Sequence, residues 1–195
     1  MLTNGRNHNN HSRFEHTLAF HCAPAMAGIK AADLISWPGA PEETLALVEE
    51  FNKSMGPTGI TLRRMCFCRG RSLILVYREK RLKEYLAREE VRVLLQRDGY
   101  PVEDGLEVML EYLSQRMLDT PGFPHEVGLF LGYPVEDVEG FRKHDGRNFK
   151  FSGLWKVYSD EERARACFHQ YNCCRQALCR RVESGVPLYR VFRTA

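Results

Sequence analysis

Long apolar runs are missing from this chain of 195 residues. None approaches the roughly 20 residues that a membrane-crossing helix needs, so no membrane partner is expected. The start, Met1 to Ser12, is polar and rich in Asn and His. It lacks the apolar stretch of a secretory signal, which points to the cytoplasm. A strong charge of either sign is missing too. The 28 Lys and Arg stand against 25 Asp and Glu, leaving +3. That balance does not imply a nucleic-acid partner. Paired CxxC motifs are absent, so a zinc-ribbon or iron–sulfur reading has no support. A Walker loop, a dinucleotide glycine fingerprint and a GxSxG elbow are absent as well, which removes the commonest signals of nucleotide binding and hydrolysis. No cofactor is indicated, and the oligomeric state is left open.

What remains has the balance of a soluble globular protein, 44% hydrophobic and 27% charged. The seven cysteines are an odd count without a secretion signal. Reduced, partly buried thiols are the expected state, not a disulfide framework.

Residues 1–13 read as a disordered tail. Leu18-Ala19-Phe20 suggests a short strand, and Pro24 sits where a helix would then open. Pro41-Glu42-Glu43 starts a helix whose Leu45, Val48, Phe51 and Met55 share one face. Two strands over about 60–77 form a hairpin around Arg69-Gly70-Arg71. Helices follow from about Lys80 to Arg97, broken near Arg88, and from about Val102 to Leu118. A strand is expected at about 153–158. Ser159 and Glu162 make a capping box for the helix that runs towards Glu183. Val186 to Phe192 reads as a last edge strand. The expected fold is α+β: a small, mostly antiparallel sheet packed with about six helices, in one domain from 14 to 195.

One hexapeptide occurs twice. Gly99-Tyr100-Pro101-Val102-Glu103-Asp104 returns as Gly132-Tyr133-Pro134-Val135-Glu136-Asp137. Glycine supplies a left-handed helix end, and Pro with two acids opens the next helix. Two helix corners built alike explain the echo without a repeat fold. The second copy also fits a helix-turn-helix, with Gly128 at the crossing and Gly132 in the turn. Its groove-facing positions would be Val135, Glu136, Glu139 and Gly140. An acidic face is repelled by phosphates and lacks the residues that read bases, so nucleic acid is not an expected partner.

Four sets of residues can carry chemistry. Cys22, after His21, would sit at a helix N-terminus if Pro24 opens the helix, and Lys30 would add positive charge. That setting favours a thiolate, for nucleophilic work or metal binding. His125 and Glu126 follow Pro124 at another helix start and suit acid–base work or a metal. Cys66-x-Cys68 points two thiols to one face of a strand. Lys156 and Tyr158 share one face of the 153–158 strand, where a cation and a phenol could meet an anionic ligand.

The same segments carry a resemblance. His21-Cys22-Ala23-Pro24 with Ala27–Leu34, the block Phe123–Val138, and Gly153–Tyr158 are similar, in this order, to three blocks of a bacterial family described as a domain of unknown function (number 3793). The resemblance spans about residues 16 to 175. It implies a small, soluble, cytoplasmic bacterial protein and brings no catalytic residues with it. Ala25-Met26 and Ala31-Ala32 depart from the Thr- and Pro-containing forms expected there.

The reading that follows is a small-ligand or metal-binding domain whose site joins His21, Cys22 and Lys30 to His125 and Glu126. The alternatives are an enzyme with Cys22 as nucleophile and His125 as base, or a module that binds protein or regulates as a helix-turn-helix. The first two need the clusters to meet in space.

Overall fold

The computed structural model describes residues 3–120 and 123–193, with side chains from residue 10. Among them are nine α-helices, a three-stranded antiparallel sheet and a two-stranded one. The α+β expectation holds. The chain groups into two compact units. Unit 1 comprises residues 1–78 and 171–195, and unit 2 comprises residues 79–170.

Unit 1 opens with the helix α1, Thr3–Met26. Two expectations change here. Residues 3–13 are helical where a disordered tail was expected, and residues 1 and 2 lie outside the described residues. Leu18-Ala19-Phe20 is helix, not strand. The reason is a longer periodicity than that tripeptide shows. Phe14, Leu18, Cys22 and Met26 recur every four residues, and all are at most 2% exposed. Once this stripe is packed, extending the helix backwards costs little, because nucleation is done. Pro24 lies inside the last turn of α1 rather than at a helix start.

Strand β1, Ala32–Pro38, follows, then α2, Pro41–Met55, and a single 3-10 turn at Gly56–Thr58. Strands β2, Ile60–Cys68, and β3, Arg71–Arg78, form the expected hairpin. Cys68 pairs with Arg71, so the loop is Arg69-Gly70, both with positive φ (51° and 72°). That is the two-residue turn whose twist matches antiparallel strands. The sheet order is β1-β3-β2. One face buries Ile35, Trp37, Ile60, Leu62, Ile74 and Val76 against α1 and α2.

Unit 2 is mostly helical: α3, Glu79–Leu86; α4, Glu89–Arg97; α5, Leu106–Asp119; α6, Val127–Phe130; and α7, Val135–His144. The break near Arg88 is observed. The short strands β4, Phe151–Ser152, and β5, Lys156–Val157, form a small hairpin in the region expected as a single strand. Helix α8, Glu161–Glu183, belongs to unit 2 up to Gln170 and to unit 1 beyond it. Its cap is Asp160, whose Oδ1 accepts from the Arg163 N–H at 2.9 Å, rather than Ser159. In unit 1, the segment expected as an edge strand ends in helix α9, Leu188–Phe192, opened by Pro187 and anchored by the buried Leu188.

Both copies of the hexapeptide start as expected. Gly99 and Gly132 are left-handed (φ 82° and 76°), and the Tyr100 and Tyr133 N–H groups reach back to Leu95 O and Gly128 O, each at 2.9 Å. The second halves differ. Pro134 caps α7 directly, whereas Pro101 to Asp104 form a turn before α5.

Candidate functional site

In unit 1 the expected Cys22 cluster assembles, but on different terms. Cys22 lies near the C-terminal end of α1, where the helix dipole opposes a thiolate instead of favouring it. It is fully buried. Burial and then the nearby Asp33 carboxylate push its pKa well up, against a smaller opposing effect of Lys30. The thiol is protonated and out of reach of solvent. Lys30 and Asp33 form a buried ion pair, and Asp33 Oδ2 also accepts from the Ala25 N–H at 3.1 Å. The second carboxylate oxygen thus has a donor, as a buried charge requires. His21 is exposed and lies edge-on to Phe20 with ring centroids 4.8 Å apart. Burial of its ring, then Arg175, lower its pKa, while Asp33 acts the other way.

In unit 2, His125 and Glu126 are neighbours with opposite fates. Glu126 is 3% exposed and receives Arg116 Nε at 2.8 Å and Nη2 at 2.7 Å. Arg142 stands 3.8 Å from its second oxygen and also pairs with Asp98 at 2.5 Å. The Tyr100 hydroxyl donates to Glu126 at 3.3 Å. Burial, and then the Glu126 charge, push the pKa of that phenol up. A carboxylate held by two guanidinium groups and a phenol is a structural hub, ill suited to act as a free base.

His125 instead turns to a cavity of about 490 Å³ that lies wholly within residues 123–156. Two pieces of chain build it. The α6–α7 corner forms one side, where Gly128 lets the helices cross: a Cβ there would stand 2.9 Å from Val138 Cγ2. The β4–β5 hairpin forms the other side. Asp137, 2% exposed, ties the two together. Its Oδ1 accepts the N–H groups of Tyr158 at 2.7 Å and Ser159 at 2.8 Å, and its Oδ2 accepts Trp155 Nε1–H at 2.7 Å. Trp155 is further held by stacking on Tyr133, with centroids 4.8 Å apart, and by an edge contact with Phe168 at 4.4 Å.

The lining is mainly apolar and includes Phe123, Phe141, Leu154 and Trp155. Two basic side chains reach it. The His125 ring packs 5.0 Å from Phe141. Lys156 Nζ donates to Gly146 O at 2.5 Å and lies 5.5 Å and 5.2 Å from the Phe141 and Phe149 rings. One hydrogen bond leaves an ammonium group with further donors. Tyr158, expected beside Lys156, points elsewhere. It stacks on His144 at 5.7 Å, and its buried hydroxyl has no hydrogen-bond partner among the described residues.

Of the residues singled out in the sequence, the structure gathers Cys22 and Lys30 around Asp33 in unit 1, and His125 and Lys156 around the cavity in unit 2. No group of three His, Cys, Asp or Glu side chains among the described residues could hold a metal ion. No described helix is long and apolar enough to cross a membrane. Sequence reasoning missed Asp137, Phe141 and Phe149. Asp137 passes for an ordinary first-turn acid that suits the dipole, and only its distant donors mark it out.

A family model described as a protein of unknown function (DUF3793) matches residues 18–192. Comparison with curated proteins and with solved structures gives no match.

Proposed function

Given a chain that belongs to the DUF3793 family, we propose that it binds a small, flat, largely apolar molecule carrying one anionic group, in the unit 2 cavity. The observation that supports this most is the cavity's make-up. Its volume falls in the range of about 300–1,000 Å³ usual for small-molecule sites, and its few polar groups converge on an apolar lining. The aromatic body would lie against Phe123, Phe141 and Leu154, and His125 and Lys156 would meet the anion. Asp137, which also lines the cavity, spends three of its acceptor sites on the hairpin, so it holds the wall in place and, as a carboxylate, offers nothing to an anion. The Cys22 enzyme reading finds no support in a buried, protonated thiol. A DNA-reading role is not favoured either. Glu139 pairs with Arg97 at 2.7 Å, and Gly140 packs under Tyr158, so part of the groove-facing surface is already engaged. The seven free cysteines fit a reducing, cytoplasmic setting.

Anilinonaphthalene sulfonate, flat and singly anionic, serves as the probe. In a Trp37→Phe background Trp155 is the sole indole. The expected result is saturable one-to-one binding with energy transfer from Trp155, competed by benzoate. His125→Ala and Lys156→Met should each weaken binding roughly ten-fold, the size of about 1.4 kcal/mol, while near-ultraviolet circular dichroism stays unchanged. Equal affinity in both variants, or binding at many weak sites, overturns the proposal.

A further inference from the structure

The end of the β2–β3 hairpin in unit 1 carries two thiols that the ligand reading does not use. Cys66 and Cys68 lie two residues apart on β2. A register shift between Arg64 and Cys66 resets the strand, so that Cys66 pairs with Leu73 and Cys68 with Arg71. Side chains two apart on a strand share a face. At about 3.3 Å of rise per residue their Cα atoms stand about 6.6 Å apart, inside the ~4.4–6.8 Å that disulfides span, while their parallel Cβ atoms stand beyond the ~3.5–4.5 Å a disulfide needs, so the bond forms only as the strand end bends. The two thiols stand close enough for each to act on the other's ionisation, Cys68 raising the pKa of Cys66. Their exposure differs: Cys66 is 5% exposed, and Cys68 is open to solvent. Strand β2 is an edge of the sheet, with the hairpin turn just beyond Cys68. Drawing the sulfurs together would therefore disturb only the last rungs to β3. Arg64, Arg69 and Arg71 lie beside the pair in the sequence, Arg64 acting on Cys66 and Arg71 held by the neutral Ser36, and positive charge of this kind attracts anions.

We propose that Cys66 and Cys68 form a dithiol–disulfide couple that exchanges with an anionic low-molecular-weight disulfide, Cys68 attacking and Cys66 resolving. The Cys68 thiolate attacks one sulfur of the small disulfide. That S–S bond breaks, and one small thiol leaves with the Cys68 proton. Cys66 then attacks the Cys68 sulfur, the mixed disulfide breaks, and the second small thiol leaves with the Cys66 proton. The protein loses two electrons and two protons, and the small disulfide gains them. Burial, followed by the effect of Cys68, raises the Cys66 thiol to about 11. Cys66 is thus the poorer first attacker, which suits the resolving position.

The test uses the full chain, equilibrated at a series of reduced-to-oxidised glutathione ratios, acid-quenched, alkylated and cut with trypsin. Cleavage after Arg64 and Arg69 releases Met65–Arg69 with both cysteines. The expected result is that this peptide loses two hydrogens in a single two-electron transition. In Cys66→Ser, glutathione should stay on Cys68, at least roughly ten-fold above wild type, a difference worth about 1.4 kcal/mol. In Cys68→Ser, Cys66 should take up no glutathione. A wild-type peptide that stays fully alkylated at the most oxidising ratio overturns the proposal, as does a disulfide from either thiol to another cysteine or to a second chain. No rise of the adduct in Cys66→Ser would do the same. The outcome is independent of the unit 2 cavity.

Discussion

Replacing Asp137 is the sharpest probe of how the unit 2 site is held. Its carboxylate is 2% exposed and accepts three hydrogen bonds of 2.7, 2.7 and 2.8 Å. Asp137→Ala leaves the Trp155 indole N–H and two backbone N–H groups without their acceptor. Hydrogen bonds to a charged group are worth about 1.5–3 kcal/mol each. Part of the loss is recovered where the β4–β5 hairpin moves to let water in, so the net cost should be about 3–5 kcal/mol, for three neutral donors left partly unsatisfied at about 1–3 kcal/mol each. With an m value of about 2 kcal/mol/M, the urea midpoint should fall by roughly 2 M. Asp137→Asn separates the two oxygens. Its carbonyl can still accept from Tyr158 and Ser159, while its amide N–H₂ opposes the Trp155 N–H, so the loss should be about 1–3 kcal/mol. Urea unfolding followed by Trp155 emission, in a Trp37→Phe background, reads both stability and the exposure of the indole. An Ala variant within about 0.5 kcal/mol of the parent, the range of an inert surface change, would refute the reasoning. An Asn variant no better than Ala would refute the separate roles of the two oxygens.

Two further outcomes follow from the same unit. Gly140→Ala sets two effects against each other: alanine favours a helix by about 1 kcal/mol, but its Cβ would land 2.4 Å from Tyr158 Cγ, and overpacking costs about 1–3 kcal/mol. Because the contact is with the root of the ring and not a flexible tip, a lower melting temperature is expected, and a higher one would show that the hairpin moves freely. Tyr85 donates to Tyr133 O at 2.7 Å, and burial raises its phenol from 10 to about 12. Between those values the unfolded chain loses the proton and the folded chain keeps it, so stability should fall as pH rises from 10 to 12. Tyr85→Phe should make that stretch of the stability profile less steep, and ultraviolet tyrosinate absorbance should lose a phenol that titrates at about 12.

The legible parts of this chain share a property: each is decided by a few adjacent residues. Arg69-Gly70 closes the β2–β3 hairpin, Gly99 and Gly132 end helices in the left-handed conformation, and Arg88 separates α3 from α4. The misread parts share another. Leu18-Ala19-Phe20 fits a strand as a tripeptide and a helix only when Phe14, Cys22 and Met26 are counted. That single change moved Cys22 from the favourable end of a helix dipole to the unfavourable one, and with it went the case for a reactive thiol. Likewise, Val186 to Phe192 has the composition of a strand, yet Pro187 opens a helix there and Leu188 is buried from it.

The sequence by itself determined the α+β class, the family, the turns and the place of His125 at a helix corner. Only the tertiary structure decided which acid does what. Glu126 and Asp137 look alike as helix-start carboxylates, yet one collects two arginines and a phenol, and the other collects three N–H donors. The physical reason is range. Turn and helix preferences act over a few bonds, whereas the donors that define Asp137 come from 18 to 22 residues away and meet it only after the hairpin has folded onto α7.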